Sequence, residues 1–297
     1  MLNIFDINVY LQERKKIIDQ ALDNYLPSED TYPQLIHKSM RYSIFAGGKR
    51  LRPILTMAAS DIFNKNLSDC IPAACAIEML HTYCLIHDDL PSMDDDDYRR
   101  GKLTNHKVFG EGTAVLAGDA LLTMAFEVLS KAKTGNPEVN LRIIEEIARA
   151  SGTDGMIGGQ VIDLDSEGKD INADTLNYIH TRKTGALIRA SIRVGAIIGG
   201  ASEIELDALT KYSESLGLAF QIIDDILDIE GEEAKIGKTT GKDAFQKKAT
   251  YPGFYGLEKA KKRAEDLYLE ASGAIKIFQN RGCALKLLAQ FLVNRDY

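Results

Sequence analysis

The chain has 297 residues, of which 45% are hydrophobic and 27% charged, and its formal net charge is −7. The apolar fraction is ample for a large core, and the negative balance argues against nucleic acid as a partner. Cys70, Cys75, Cys84 and Cys283 show neither paired metal spacing nor disulfide-framework density, so they fit reduced thiols of a cytosolic protein. The first residues carry no basic leader followed by an apolar stretch, so no signal peptide is expected. No run is expected to reach the length of a membrane span. These features point to a soluble, cytoplasmic protein.

Helical patterning runs almost from end to end. The first runs are 11–25 and 33–45. Gly47-Gly48-Lys49-Arg50-Leu51-Arg52-Pro53 then places three cations on a turn leading into a helix. After a polar connector at 64–68, Ala73, Ala74, Ala76, Met79 and Leu80 make the run to His87 a strong helix former. Pro72 is tolerable there if it falls in the first turn. Further helices are expected over 113–132, 141–150, 173–198, 204–229, 257–278 and 284–293. The glycine-rich stretch 152–159 reads as a connection or a kinked helix. Short polar connectors recur at 134–137 and 199–202, alternating strand patterns are scarce, and no long linker or low-complexity block interrupts the chain. The expectation is one all-α domain over 1–297, a bundle of long helices around a central cavity.

Two aspartate clusters punctuate this pattern, each at the end of an apolar helical run. The first is His87-Asp88-Asp89-Leu90-Pro91-Ser92-Met93-Asp94, continuing through Asp95, Asp96 and Asp97 to Tyr98, Arg99 and Arg100. The second is Phe220-Gln221-Ile222-Ile223-Asp224-Asp225-Ile226-Leu227-Asp228. Carboxylates beside apolar surface are costly unless their charge is compensated. Oxygen ligands in two similar clusters suggest hard divalent cations, Mg²⁺ above all. Spacings of three and four put Gln221, Asp224 and Asp228 on one helix face. Pro91 disfavours helix at Leu90, so the chain can leave the helix and bring Asp94 back toward Asp88. Neither cluster has the calcium-loop glycine. Taken alone, the second could be a solvated acidic patch.

The basic groups weigh against that bland reading. Mg²⁺ is usually held by one or two carboxylates together with substrate phosphates, and phosphates call for Arg and Lys. Besides 47–53, Arg99-Arg100-Gly101-Lys102 follows the first cluster, Lys183-Thr184-Gly185 lies between the two, and Gly237-Lys238-Thr239 follows the second. The last lacks the spacing of a nucleotide phosphate loop.

Together these segments, with 101–110, 158–163 and 248–252, resemble the short-chain trans-prenyl diphosphate synthases of bacterial type, closest to the farnesyl diphosphate synthases. The match spans most of the chain in the family's order. Leu103 departs from it, standing where the family usually has proline.

The resemblance implies an isoprenoid-synthase fold, a homodimer, and head-to-tail condensation of isopentenyl diphosphate with an allylic diphosphate. It implies Mg²⁺, three ions per active site, held by Asp88, Asp89, Asp94, Asp224, Asp225 and Asp228. It assigns Arg99, Lys183, Thr184, Gln221 and Lys238 to the allylic diphosphate, with Lys183, Thr184 and Gln221 also catalytic. Lys49, Arg52, His81 and Arg100 match the isopentenyl diphosphate site. Tyr83, five residues before Asp88, and the two extra residues inside the first motif are marks of fifteen-carbon synthases in the family. Cys84, four before Asp88, lies beneath it and leaves room for a growing chain. Gln160 and Asp163 are expected to support helix packing near the site, and His106 and Lys107 to stabilise the loop after the first cluster. The competing readings are a twenty-carbon synthase, a terpene cyclase and a non-catalytic subunit. A cyclase needs no isopentenyl site, and non-catalytic subunits tend to lack intact aspartate motifs.

Overall fold

The computed structural model describes residues 6–230 and 250–293. Its helices are α1 (Ile7–Tyr25), α2 (Gln34–Ile44), α3 (Leu51–Asp61), α4 (Leu67–Asp88), α5 (Asn105–Phe109), α6 (Glu111–Ser130) and α7 (Pro137–Ser151), followed by α8 (Met156–Ser166), α9 (Ala173–Ile179), α10 (Ala186–Gly199), α11 (Glu203–Glu230), α12 (Tyr251–Tyr255), α13 (Leu257–Ala274) and α14 (Cys283–Val293). The all-α expectation holds. The strands among the described residues form one small antiparallel hairpin, β1 (Tyr98–Arg99) with β2 (Lys102–Leu103).

Some helix starts carry side-chain caps. Asp6 accepts from the Asn8 and Val9 amides at α1. Asn136 caps α7, with Pro137 entering at its first turn, and Asn172 caps α9. Each satisfies amides that have no partner inside the helix.

Two helices carry the site. The middle of α4 is buried on all sides, with Ala74, Cys75, Ala76, Ile77, Met79 and Leu80 without exposure. It packs against α3 and α6. Helix α11 packs along α13 and α10, and its 28 residues span about 42 Å. Both helices therefore hold their C-terminal ends rigidly, and both ends carry the acid clusters.

Three expectations need correction. Pro72 lies inside α4, because the helix already starts at Leu67. The Ser68 carbonyl loses its helical partner there, and exposure of Ser68 lets water replace it. The run 173–198 is divided: a π-helical segment, His180–Gly185, separates α9 from α10. A π turn inserts one residue per turn and is invisible to a 3.6-residue pattern. Finally, α4 and α6 are long and apolar enough to cross a membrane by length and composition. Small apolar residues, used for close packing in α4, raise apolarity as a lipid-facing helix would. The apolar window of α4 is 67% buried, that of α6 only 39%. Val115 and Leu116 on α6 stand exposed, with Leu122 and Phe126 half-buried.

Candidate active site

Asp88 closes α4 and Asp89 caps it; Asp224, Asp225 and Asp228 sit in the last two turns of α11. The C-terminal end of a helix carries partial negative charge, so carboxylates there are doubly disfavoured. Both ends need cations, and the fold supplies some of them.

Beyond Asp89 the chain turns back over the end of α4. The Asp94 amide donates to the Asp88 carbonyl at 2.9 Å, and the Asp96 amide to the Asp89 carbonyl at 3.2 Å. The expected return of Asp94 toward Asp88 is thus seen in the backbone. The β1–β2 hairpin follows. Its two arginines part company: Arg99 pairs with Asp89 at 2.6–2.7 Å and approaches Asp88 and Asp96 at 4.0 and 3.8 Å. Arg100, at positive φ, instead donates to the Gly47 carbonyl. Gly48 permits this approach, since a Cβ there would meet the Arg100 guanidinium at 2.6 Å. Leu103, the departure from the expected proline, sits in β2, and its carbonyl accepts from the Tyr42 hydroxyl at 2.7 Å. Lys107 pairs with Asp97 at 2.6 Å and His106 meets Thr104 at 3.1 Å, both tying down the loop.

The π segment brings Lys183 and Thr184 to the same region. Lys183 Nζ donates to Asp163 at 2.6 Å and stands 3.9 Å from Asp88. Burial pulls its pKa down, but Asp88, Asp163 and Asp94 outweigh this, so the ammonium is held charged. Gln160, on α8 with Asp163, donates to Asp88 at 2.5 Å. Its carbonyl oxygen is buried without a partner among the described residues. Gly159 makes this possible, because its missing Cβ leaves room for the Lys183 backbone. Gln160 therefore bonds the acid motif directly, and Asp163 reaches it through Lys183, beyond the helix packing expected of them. The Gln-x-x-Asp spacing, one helical turn, was the available signal.

On α11 a hydrogen-bonded chain runs from Thr184 to Gln221 at 2.8 Å, from Gln221 to Asp225 at 2.9 Å, and from the Tyr251 amide to Asp225 at 2.8 Å. His180 stands 3.5 Å from the same carboxylate. Burial drives the His180 pKa down to about 4, so the ring is neutral near pH 7. The sequence reading did not single out His180, although it lies one turn before Lys183. Asp225 and Asp228 are buried, and Asp224 is half-buried. Lys238 lies outside the described residues.

A second, predominantly basic cluster lies between α3 and α4. Arg52 Nη1 meets His81 Nε2 at 3.3 Å, and Arg52 Nε is buried without a partner among the described residues. Burial, reinforced by Arg52, Arg100, Arg99 and Arg50, holds the His81 pKa well below 6.5. Neutral His81 can therefore accept from the arginine. Lys49 is exposed, with its ammonium 5.8 Å from the centre of the Phe291 ring. Cys84 lies beneath Asp88, and burial lifts its thiol to about 12. Tyr83 is buried and packs edge-on against His87, their rings 5.6 Å apart.

Among the described residues no three acids or histidines converge as a ready-made metal cage. The donor set still fits Mg²⁺, which takes one or two carboxylates from each cluster and completes its shell with phosphate and water. Asp88, Asp89, Asp94, Asp224, Asp225 and Asp228 are the carboxylates that would hold it.

A helical scaffold that sets an acid region beside a cluster of basic side chains is that of an isoprenoid-synthase-type protein. The comparisons make this specific. Residues 33–280 match the polyprenyl synthetase family model, and the chain belongs to that family. It is 47% identical over 294 residues to a geranylgeranyl diphosphate synthase from Cyanophora paradoxa, covering 98% of this chain and 97% of the relative. It is 46% identical over 296 residues to a farnesyl diphosphate synthase from Geobacillus stearothermophilus, covering 98% of each. The crystal structure of an FPP/GFPP synthase from Zymomonas mobilis superposes with a TM-score of 0.87 at 37% identity, covering 97% of this chain and 98% of that one. The chain is accordingly a short-chain prenyltransferase.

Proposed function

We propose that the enzyme condenses isopentenyl diphosphate with dimethylallyl or geranyl diphosphate and releases farnesyl diphosphate as its main product. The observation that carries this reading is the division of Arg99 and Arg100. Adjacent residues serve two anion sites, one with the carboxylates and one with the basic pocket. A terpene cyclase has no use for the second.

In this reading Asp88, Asp89, Asp94, Asp224, Asp225 and Asp228 would hold Mg²⁺, which would supply Lewis-acid stabilisation of the charge left on the departing diphosphate. Arg99 and Lys183 add fixed positive charge at the same oxygens. Thr184 and Gln221, linked to each other, face the developing allylic cation with neutral oxygens that stabilise it without trapping it. Arg52, Arg100, His81 and Lys49 hold isopentenyl diphosphate, which ionises no leaving group and needs no metal. The released diphosphate takes the final proton, so no protein base is assigned.

The fifteen-carbon product rests on Tyr83 and on the four residues between Asp89 and Asp94. A twenty-carbon product is the second reading, favoured by the many relatives named for it. The exposed apolar face of α6 supports a homodimer, in a single-domain cytoplasmic enzyme.

The test is incubation of purified chain with labelled isopentenyl diphosphate, geranyl diphosphate and Mg²⁺, followed by chromatography of the dephosphorylated alcohols. Farnesol is expected. Geranylgeraniol overturns the length assignment, and no incorporation overturns the activity. Tyr83→Ala should lengthen the product to twenty carbons or more; an unchanged profile removes Tyr83 as the floor of the channel.

A further inference from the structure

Lys49, Arg50 and Arg52 read alike in the sequence, but their side chains go to three different places. Arg52 points at His81 and Lys49 at solvent and Phe291. Arg50 turns inward and is only 3% exposed. Its Nε donates to Asp19 on α1 at 2.7 Å, Nη1 to Glu78 on α4 at 2.7 Å, and Nη2 to the Ile44 carbonyl at the end of α2 at 2.6 Å. One guanidinium thus joins three helices.

Arg50 is also the residue immediately before α3 and sits in the left-handed region, at φ 52°. Gly47 and Gly48 before it are at positive φ too. Left-handed backbone is unfavourable for a residue with a Cβ, so it persists only where surrounding contacts hold it. The three hydrogen bonds are those contacts. They fix the path from Gly47, whose carbonyl receives Arg100, to Arg52, which meets His81. The charges support the same division of labour. Glu78 and Asp19 neutralise Arg50, so it offers little to a diphosphate. Among the described residues Arg52 and Arg100 form no ion pair within 4.0 Å, although Glu78 acts on both at longer range.

We propose that Arg50, with Asp19 and Glu78, is a positioning residue for the isopentenyl diphosphate site: it locks the 47–52 turn so that Arg52 and Arg100 face one anion. The proposal rests on the assignment of that site to Arg52, His81 and Arg100. Neither Asp19 nor Glu78 belongs to any motif evident in the sequence.

The test is steady-state kinetics of R50K, D19N and R52A beside wild type, each substrate varied in turn, with thermal unfolding of each. Lysine keeps the charge but has no fork to reach three acceptors. R50K should raise KM for isopentenyl diphosphate by about tenfold, and D19N by about threefold, because each leaves substrate-touching groups intact but less well aimed. The allylic KM and kcat should stay within about twofold. R52A should raise the same KM further. If R52A leaves it unchanged, the site assignment itself fails. If R52A raises it while folded R50K and D19N lower only the unfolding temperature, the clamp is merely structural and the proposal is overturned. Should R50K not fold, D19N decides alone: Asp19, on α1, is partly exposed, which makes it the milder change.

Discussion

The two proposed anion sites share one hairpin but are stabilised in opposite ways. The basic pocket is held from behind. Arg50 anchors its turn, Arg100 is tied to Gly47, and His81 is kept neutral, so the pocket is complete within the protein. The acid region is a standoff. Asp88 and Asp89 crowd the negative end of α4, burial lifts the Asp89 pKa, and Arg99, Lys183 and Gln160 pull the other way. A site that binds an anion with no metal can be built rigid. A site that must accept cations and a diphosphate together has to leave charge unbalanced.

The largest expected effect breaks the acid side. Asp88→Ala or Asp224→Ala should lower turnover by about 10²–10³ or more, as for lost electrostatic stabilisation of a leaving group. EDTA should abolish activity and Mg²⁺ restore it. Full wild-type turnover in metal-free buffer would contradict the division between the sites. Isopentenyl diphosphate should still bind the metal-free protein, which calorimetry can measure directly.

The next effect separates the sites by substrate. Arg52→Ala should raise KM for isopentenyl diphosphate by about 10- to 100-fold, the range for losing a charge-assisted hydrogen bond. Asp163→Asn should leave that KM alone and weaken the allylic substrate by about threefold to tenfold, because Lys183 loses its 2.6 Å partner and its aim. Lys238→Ala is expected to act on the allylic side as well. Equal effects of Arg52→Ala and Asp163→Asn on both substrates would merge the two sites into one.

Much of this was legible in the sequence because it is local. Helices, acid clusters and the return of Asp94 follow from periodicity, a proline and short-range spacing. What was not legible depends on long-range closure. Asp163 reaches Lys183 across 20 positions, and Asp19 reaches Arg50 across 31. No spacing rule links such pairs. The three cations at 49–52 could not be told apart either, because the left-handed Arg50 breaks the helical count that would have sorted them. The π segment hid in the same way, as an extra residue in an otherwise regular helix.

Each site also holds one neutral histidine, His81 half-buried and His180 buried, and these sharpen the comparison at the smallest scale. At His81 burial and the surrounding arginines push the pKa down together; at His180 burial lowers it to about 4 while Asp163 pulls it up. Both groups bind protons less readily in the folded state than in the unfolded chain. Each therefore contributes stability that is fully present above the ordinary histidine pKa of 6.5 and lost as pH falls toward its folded pKa. For His180 that window runs from 6.5 down to about 4, with a slope of roughly 1.4 kcal/mol per pH unit. His180→Gln cannot titrate, so its stability should fall less than wild type's between pH 7.5 and pH 5. The expected difference is on the order of 2 kcal/mol over that interval. Guanidinium unfolding of both proteins at the two pH values measures it. Parallel curves would mean that His180 takes up protons equally in the folded and unfolded chain, and a wild type that gains on His180→Gln as pH falls would mean that Asp225, 3.5 Å away, holds the ring protonated in the fold.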